Sequence, residues 1–226
     1  MRATPERSIV SRGYFLAIAG NIGVGKTELT NRLSAELGWL AYYEPVIDNP
    51  YLDVFYADMR RWSFHLQIYF LSERFKAQAE IGKSELPFIQ DRTIYEDAEI
   101  FAKTLHAQGS MTEVDYRNYT SLFHVMASYL RKPDLVIYLK ASPEVLLERI
   151  ARRGRASEQS ISRDYIVSLN RAYEEWMTRT RAELEVVEID TDHIPLQGET
   201  EAFARLVRDL KRRYPPQAEL DLSGRE

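Results

Sequence analysis

The residues of this chain with the clearest chemical meaning form the segment GNIGVGKT, residues 20–27. The segment fits the spacing G-x-x-x-x-G-K-[ST] at every fixed position. Glycines let such a loop curl until several backbone N–H groups point at one phosphate, and the helix that follows adds its positive end. In this pattern Lys26 reaches the β- and γ-phosphates, and the Thr27 hydroxyl is offered to Mg²⁺. We predict a nucleoside triphosphate site formed by Gly20, Asn21, Ile22, Gly23, Val24, Gly25, Lys26 and Thr27.

Two further segments place acids where apolar runs end. In YYEPV, Glu44 closes the second run and Pro45 stops it, so Glu44 could accept a proton from an attacking hydroxyl. In FIQDRT, Asp91 suits a Mg²⁺ partner, directly or through water. Arg92 could hold the acceptor carboxylate or neutralise phosphate charge. The plainer alternatives are an exposed acid at a strand end for Glu44 and a surface ion pair for Asp91 and Arg92.

A long aromatic helix supplies candidates for recognising a planar ring. Gln67 and Arg74 are seven residues apart and so share one helix face, and a Gln amide can match the donor and acceptor edge of a base. Asp97 and Phe101 are four apart on the helix after Asp91, where an Asp could face an Arg and a Phe could stack on a ring. The neighbouring aromatic residues are expected to be mostly core: Trp62, Phe64, Tyr69 and Phe70.

Four arginines are concentrated in LLERIARRGRASEQ, residues 146–159: Arg149, Arg152, Arg153 and Arg155. Arg149 and Arg153 share a helix face, and Gly154 is expected to end that helix. Like charges on one face are unfavourable unless an anion arrives, which indicates a lid that closes over transferring phosphates. A solvated basic helix end is the alternative. The four histidines, His65, His106, His124 and His193, show no metal-ligand spacing.

Five short apolar runs and seven helical patterns must position these residues. Nearly continuous apolar strands that alternate with helices indicate an α/β fold, with a parallel sheet covered on both faces. Ligands of such sheets bind beyond the carboxyl ends of the strands. The predicted strands are 14–19, 39–44, 87–91, 134–142 and 186–190. The predicted helices are about 25–37, 60–81, 93–107, 112–131, 143–153, 161–183 and 199–213.

Composition narrows the class of protein. The chain has 226 residues, of which 45% are hydrophobic and 28% charged, which suits one domain with a sizeable core. We expect a disordered leader at 1–12, one domain at 13–214 and a flexible tail at 215–226. A net charge of −4 argues against a nucleic-acid partner, and no apolar run approaches membrane length. The absence of cysteine excludes disulfides and thiolate catalysis and fits a cytoplasmic location.

The phosphate loop alone is shared by many functions. A GTPase usually carries N-K-x-D to read guanine, yet none of the five asparagines precedes a lysine. The chain is also short for a motor or a helicase, so elimination favours a small phosphotransferase. Two alternatives stay open: a nucleoside monophosphate kinase similar to thymidylate kinase, and a non-catalytic switch that depends on ATP. The first would need more positive charge for the acceptor's phosphate, where EPV instead places an acid.

Taken together, these segments resemble the deoxyribonucleoside kinase family. The resemblance rests on GNIGVGKT, EPV, NPYLDVFYADMRRWSFHLQ, DRTIYEDAEIFA and RIARRGRASEQ, whose order and spacing agree over about residues 14–192. It implies a P-loop kinase fold with a five-stranded parallel sheet and an arginine-rich lid. It also implies transfer of the γ-phosphoryl group of ATP, with Mg²⁺, to the 5′-hydroxyl of a deoxynucleoside, for nucleotide salvage. One residue of the D-R-T motif departs from many relatives, which have a serine in place of Thr93.

The resemblance also assigns roles to individual residues. Glu44 matches the general base, Arg92 the arginine between base and phosphates, and Asp91 the acid beside Mg²⁺. Tyr56 and Glu158 match the pair that holds the sugar 3′-hydroxyl. The nucleobase pocket is matched by Gln67, Arg74, Asp97 and Phe101. The lid arginines are matched by Arg149, Arg153 and Arg155, and the region near the ATP adenine by Asp190 to His193.

Base preference and assembly follow from the same resemblance. Family members that accept mainly pyrimidines tend to lack the charged pair that Arg74 and Asp97 would form, so its presence favours purine deoxynucleosides. We expect deoxyadenosine first, then deoxyguanosine or deoxycytidine. Members are usually homodimers packed through helices. The helix at 116–130 is the candidate contact, because its apolar content exceeds one face.

Overall fold

The computed structural model describes residues 13–43, 49–193, 198 and 200–215. Within them lies one five-stranded sheet, and all four strand pairings are parallel. The strand order is β2-β3-β1-β4-β5. The strands are β1 (Phe15–Gly20), β2 (Leu40–Tyr42), β3 (Phe88–Asp91), β4 (Leu135–Lys140) and β5 (Val186–Asp190). The predicted α/β fold with a five-stranded parallel sheet is confirmed.

Helices connect the strands and cover both faces of the sheet. They are α1 (Lys26–Leu37), α2 (Leu52–Ala57), α3 (Met59–Lys83), α4 (Ile94–Glu96), α5 (Lys103–Ala107), α6 (Glu113–Ala127), α7 (Pro143–Arg153), α8 (Arg163–Thr180) and α9 (Glu201–Arg213). A π-helical segment, Asp97–Ala102, joins α4 to α5, and a short 3₁₀ segment, Ala156–Glu158, precedes α8. None of the helices within the described ranges has the length and apolar character needed to cross a membrane.

The alternation of side chains along β1 builds two separate cores. Ala17 and Ala19 face a cluster with α3, α6 and α8, whereas Leu16 and Ile18 face a cluster with α1, α7 and α9. All six residues of β1 are buried, as expected of a central strand covered on both sides. The predicted pattern of helices on two faces is therefore confirmed, and it directs the carboxyl ends of β1 and β3 to one edge.

Several local expectations differ from the structure. The helix predicted at 93–107 is interrupted by the π-helical segment, and α2 has no counterpart among the predicted helices. Of the four aromatic residues expected to be mostly core, only Phe70 is buried, while Trp62, Phe64 and Tyr69 are half-buried around the first cluster. Residues 1–12 and 216–226 of the expected leader and tail lie outside the described residues.

Candidate active site

An open cavity of about 790 Å³ lies at the carboxyl ends of β1 and β3. The phosphate loop lines one end, and residues from α3 and the π-helical segment line the other. Fifteen of the predicted site residues are among its lining residues: Ile22, Gly23, Val24, Gly25, Lys26, Thr27, Tyr56, Gln67, Arg92, Asp97, Phe101, Arg149, Arg153, Arg155 and Glu158. Residues from five separate stretches of sequence therefore meet in one space.

The phosphate loop has the backbone conformation that its glycines allow. Gly23 and Gly25 have φ angles of 83° and 104°, in the left-handed region that other residues avoid. A Cβ atom on Gly23 would also lie 2.9 Å from Cγ1 of Ile150 on α7, so there is no room for a side chain. Helix α1 begins at Lys26, whose Nζ donates to the carbonyl of Asn21 at 3.1 Å. This geometry places a cation and a helix N-terminus beside the loop, as an anion site requires.

Asn21 fastens the phosphate loop to helix α8. Its Nδ2 donates to the carbonyl of Ile166 at 3.1 Å and to Oδ1 of Asn170 at 2.6 Å. Its Oδ1 accepts from the backbone N–H of Ile22 at 2.7 Å. Asn170 in turn donates to the carbonyl of Ala141, just beyond β4. Asn21 is buried and is not among the residues that line the cavity, so its side chain acts as an anchor.

Thr27 and Asp91, the two predicted metal-associated residues, are in direct contact. The Thr27 hydroxyl donates to Oδ2 of Asp91 at 2.5 Å. Oδ1 of Asp91 is buried and has no hydrogen-bond partner within the described ranges. A hydroxyl and a carboxylate beside a phosphate loop fit Mg²⁺, which takes few protein oxygens and keeps several waters. In the part of the chain that the structure describes, no group of three or more His, Cys, Asp or Glu side chains forms a protein-only metal site.

Arg92 has the only positive φ angle, 65°, among the described residues other than glycine. Such a conformation is uncommon for a residue with a side chain, and it is found where the surroundings enforce it. The guanidinium donates to the carbonyl of Gly20 at 3.4 Å and lies 4.2 Å above the ring centroid of Phe101. Arg92 is thus buried between the phosphate loop and Phe101.

Glu96 is a buried carboxylate that sequence reasoning missed. Its Oε1 accepts from the backbone N–H of Gly20 at 3.3 Å and from the Tyr173 hydroxyl at 2.9 Å. Its Oε2 accepts from the backbone N–H of Thr93 at 2.9 Å. Burial raises the pKa of Glu96, and the nearby charges of Arg92 and Lys26 act against that rise. The spacing T-x-x-E is a capping-box signal for the start of α4, but nothing in it predicts the contact with Gly20.

The far end of the cavity joins polar and aromatic groups. Nε of Arg74 donates to Oδ2 of Asp97 at 2.5 Å, and both side chains are only 2% exposed. Gln67 is buried at the cavity wall, and its Oε1 has no hydrogen-bond partner in the described part of the chain. Phe101 and Tyr56 add aromatic surface. A buried amide oxygen facing open space can accept a hydrogen bond from a planar ligand such as a base.

The predicted lid arginines already have anionic or carbonyl partners. Arg153 donates to Oε2 of Glu158 at 2.5 Å, and Arg155 donates to Oε1 of the same residue at 3.3 Å. Arg149 instead bonds Thr191, through its hydroxyl at 2.8 Å and its carbonyl at 2.7 Å. The anion expected opposite these charges is therefore supplied in part by Glu158, which is buried and lines the cavity. As predicted, Gly154 ends α7, in the left-handed conformation.

Six predicted site residues are not among the lining residues of this cavity. Glu44 lies outside the described residues. The other five are Gly20, Asn21, Arg74, Asp91 and Asp190. Asp190 ends β5 and accepts from the backbone N–H of Asp192, so it is the next residue, Thr191, that contacts Arg149. Arg152, left out of the predicted lid set, does line the cavity.

Comparisons with known proteins agree with this geometry. The family model described as deoxynucleoside kinase matches residues 16–213. The deoxyadenosine/deoxycytidine kinase of Bacillus subtilis is 41% identical over 212 residues, which cover 90% of this chain and 98% of that protein. The deoxyadenosine kinase of Dictyostelium discoideum is 42% identical over 178 residues, which cover 79% of this chain and 72% of that protein. A structure of deoxyadenosine kinase from M. mycoides, with the products dCMP and a flexible dCDP bound, superposes with a TM-score of 0.78. That pair is 30% identical and covers 88% of this chain and 99% of the other.

Proposed function

Because this chain belongs to the deoxynucleoside kinase family and is a phosphotransferase, we propose that it transfers the γ-phosphoryl group of ATP to the 5′-hydroxyl of a deoxyribonucleoside. The product would be the 5′-monophosphate, for nucleotide salvage. One observation carries the proposal: a single cavity has a phosphate loop at one end and a polar, aromatic wall at the other. A cysteine-free protein that uses ATP suits a reducing compartment, so we also propose a cytoplasmic location.

The phosphate end would bind ATP. The loop N–H groups, the start of α1 and Lys26 would hold the β- and γ-phosphates. Thr27 and Asp91 would hold Mg²⁺, which supplies charge neutralisation between the phosphates when it is bound. Arg153 and Arg155 both contact the carboxylate of Glu158, so the two side chains would act on the transferring group together. Glu44 is proposed as the general base for the 5′-hydroxyl, with Arg92 holding the acceptor end.

The other end would select the base. Gln67 would bond the base edge, Phe101 would stack on it, and the ion pair of Arg74 and Asp97 would form a polar wall. Tyr56 and Glu158 would hold the sugar 3′-hydroxyl. The three proteins compared above are all named for deoxyadenosine, and one of them also for deoxycytidine. We propose a preference for purines, with deoxyadenosine first, then deoxyguanosine or deoxycytidine.

The test is ADP release from ATP and Mg²⁺ in the presence of each deoxynucleoside, with each deoxynucleoside monophosphate as a parallel acceptor. Turnover with deoxyadenosine, weaker turnover with thymidine and none with monophosphates would support the proposal. Turnover with monophosphates alone would instead assign the chain to the monophosphate kinases. ATP binding without any acceptor-dependent turnover would favour a switch and remove the roles given to Glu44 and Gln67.

We also propose that the protein is a homodimer. On α6 the apolar side chains of Leu122 and Val125 are 42% and 57% exposed, and Tyr129 just beyond it is 79% exposed. Three apolar groups spaced three and four residues apart form a row that a second copy could cover. Sedimentation of Leu122→Asp with Val125→Asp should then give a monomer. Val167→Asp on α8, also partly exposed, is the control, and a monomer from that variant alone would contradict a contact through α6.

A further inference from the structure

The two oxygens of Glu96 bond two functional segments that are far apart in sequence. Oε1 accepts from Gly20, the first residue of the phosphate loop, and Oε2 accepts from Thr93, the residue directly after Arg92. The side chain has no exposed surface and is not among the residues that line the cavity. Glu96 therefore cannot touch a bound substrate, but it fixes the backbone of residues that would.

The backbone at Arg92 needs such support. Its φ of 65° is unfavourable for a residue with a side chain. The hydrogen bond from the Thr93 N–H to Glu96 holds the peptide that follows Arg92. The Arg92 guanidinium in turn donates to the carbonyl of Gly20. The same carboxylate thus holds the loop that would bind the donor and the conformation that aims Arg92 at the acceptor.

On the basis of the proposed function, we propose that Glu96 is a positioning residue, which sets the distance between the phosphate loop and Arg92. The contacts that the described residues make with its carboxylate come from donors or a cation: the N–H groups of Gly20 and Thr93, the Tyr173 hydroxyl, and the Arg92 guanidinium with Nε at 3.9 Å. An ionised carboxylate only accepts hydrogen bonds, so it can satisfy both sides at once. An amide cannot, because its NH₂ would face a donor on one side.

A simple helix cap is the alternative role, and the structure separates the two. The capping box of α4 uses only Oε2, through Thr93. The contacts of Oε1 with Gly20 and Tyr173 add nothing to that cap. Tyr173→Phe therefore weakens the support on the phosphate-loop side and leaves the cap intact. Its matched control is Tyr138→Phe, because the two rings stack at 5.9 Å and the Tyr138 hydroxyl bonds Glu174 instead.

The experiment compares Glu96→Gln and Tyr173→Phe with the controls Glu99→Gln and Tyr138→Phe. Glu99 lies three residues along and forms a partly exposed ion pair with Arg179. For each variant we would measure kcat, KM for ATP and for deoxyadenosine, ATP affinity by calorimetry, and the melting temperature. Glu96→Gln should lower kcat by about 10²-fold, the scale expected when reacting groups are misplaced by about 1 Å. It should also weaken ATP binding, while KM for deoxyadenosine changes by less than about threefold, because the side-chain hydrogen bonds that Glu96 makes within the described residues go to Gly20, Thr93 and Tyr173 and not to the base wall.

Tyr173→Phe should change kcat and ATP affinity in the same direction, by about three- to tenfold for the loss of one hydrogen bond. Both controls should match wild type. The proposal is overturned if kcat and ATP affinity of Glu96→Gln match those of Glu99→Gln. It is also overturned if Tyr173→Phe leaves kcat and ATP affinity unchanged, whatever the result for Glu96→Gln. If the wild-type protein phosphorylates no deoxynucleoside, the proposed function fails, and ATP affinity of the same four variants still decides the role of Glu96 at the loop.

Discussion

The buried pair of Arg74 and Asp97 allows stability and base selection to be separated. Asp97→Ala would leave the Arg74 guanidinium, 2% exposed, without the carboxylate that now lies 2.5 Å from it. Removing one partner of a buried pair costs about 3–5 kcal/mol, because the buried charge that stays behind loses its carboxylate. With a urea m value of about 2–3 kcal/mol/M for a domain of this size, the unfolding midpoint should fall by about 1–2.5 M.

Replacing both partners should behave differently. In Arg74→Met with Asp97→Ala no charge is left behind, so the free energy of unfolding should return to within about 1 kcal/mol of wild type. Base selection should not return, because the polar wall is gone. Hydrogen bonds to charged groups contribute about 1.5–3 kcal/mol, so the preference for deoxyadenosine over thymidine in kcat/KM should drop by about 10- to 10²-fold.

Urea unfolding of the single and double variants would check the predicted stabilities, and kcat/KM with each deoxynucleoside would check the predicted base selection. The control is Glu80→Ala, which removes one partner of the exposed pair with Lys83 and should cost no more than about 0.5 kcal/mol. If Asp97→Ala costs no more than Glu80→Ala, the pair does not behave as buried charges. If the double variant keeps the wild-type substrate ranking, the pair is not the selector.

Three further outcomes are expected. Gly23→Ala should weaken ATP binding, measured by calorimetry, by about tenfold or more. The φ of 83° at Gly23 and the distance of 2.9 Å from an added Cβ to Ile150 leave no place for a side chain. Unchanged ATP affinity would contradict the loop geometry. Glu44→Gln should keep deoxynucleoside binding but lower kcat by about 10²-fold or more, and turnover within a few-fold of wild type would end its assignment as base. Burial raises the pKa of Glu96 above its usual 4.5, so the folded protein keeps this proton to a higher pH than the unfolded chain. The unfolding free energy of wild type relative to Glu96→Gln should therefore fall as the pH rises above 4.5, and a rise would refute that sign.

Much of the fold could be predicted from local patterns. The strands β1, β3 and β4 are short, largely apolar runs that are buried on both faces. Strand β5 and helix α7 have the bounds that their patterns predict. The phosphate loop was equally readable, because the required residue types are contiguous and their backbone geometry is set by glycine. Gln67 and Arg74 lie on one buried face of α3, as their spacing of seven residues predicts.

The parts that could not be predicted depend on contacts between distant residues. The bond between Glu96 and Gly20 spans 76 residues, and the bond between Arg149 and Thr191 spans 42. The π-helical segment also has no local signal, since DAEIFA is compatible with an ordinary α-helix. The segment carries Phe101, which contacts Arg92, and Asp97, which contacts Arg74, and π-helical turns are frequent at functional sites.

The contact of Glu158 with both Arg153 and Arg155 has a consequence for ionic strength. Two uncompensated arginines would attract ATP from a distance and make its affinity fall steeply with added salt. A phosphate bound by both arginines, as proposed, would displace a carboxylate that already contacts both side chains, so one ion pair would be exchanged for another. ATP affinity should then depend only weakly on salt, and Glu158→Gln should steepen that dependence. The exchange would also free the Glu158 carboxylate at the moment the donor binds, so that the sugar contact proposed for it becomes available only in the ATP-loaded protein.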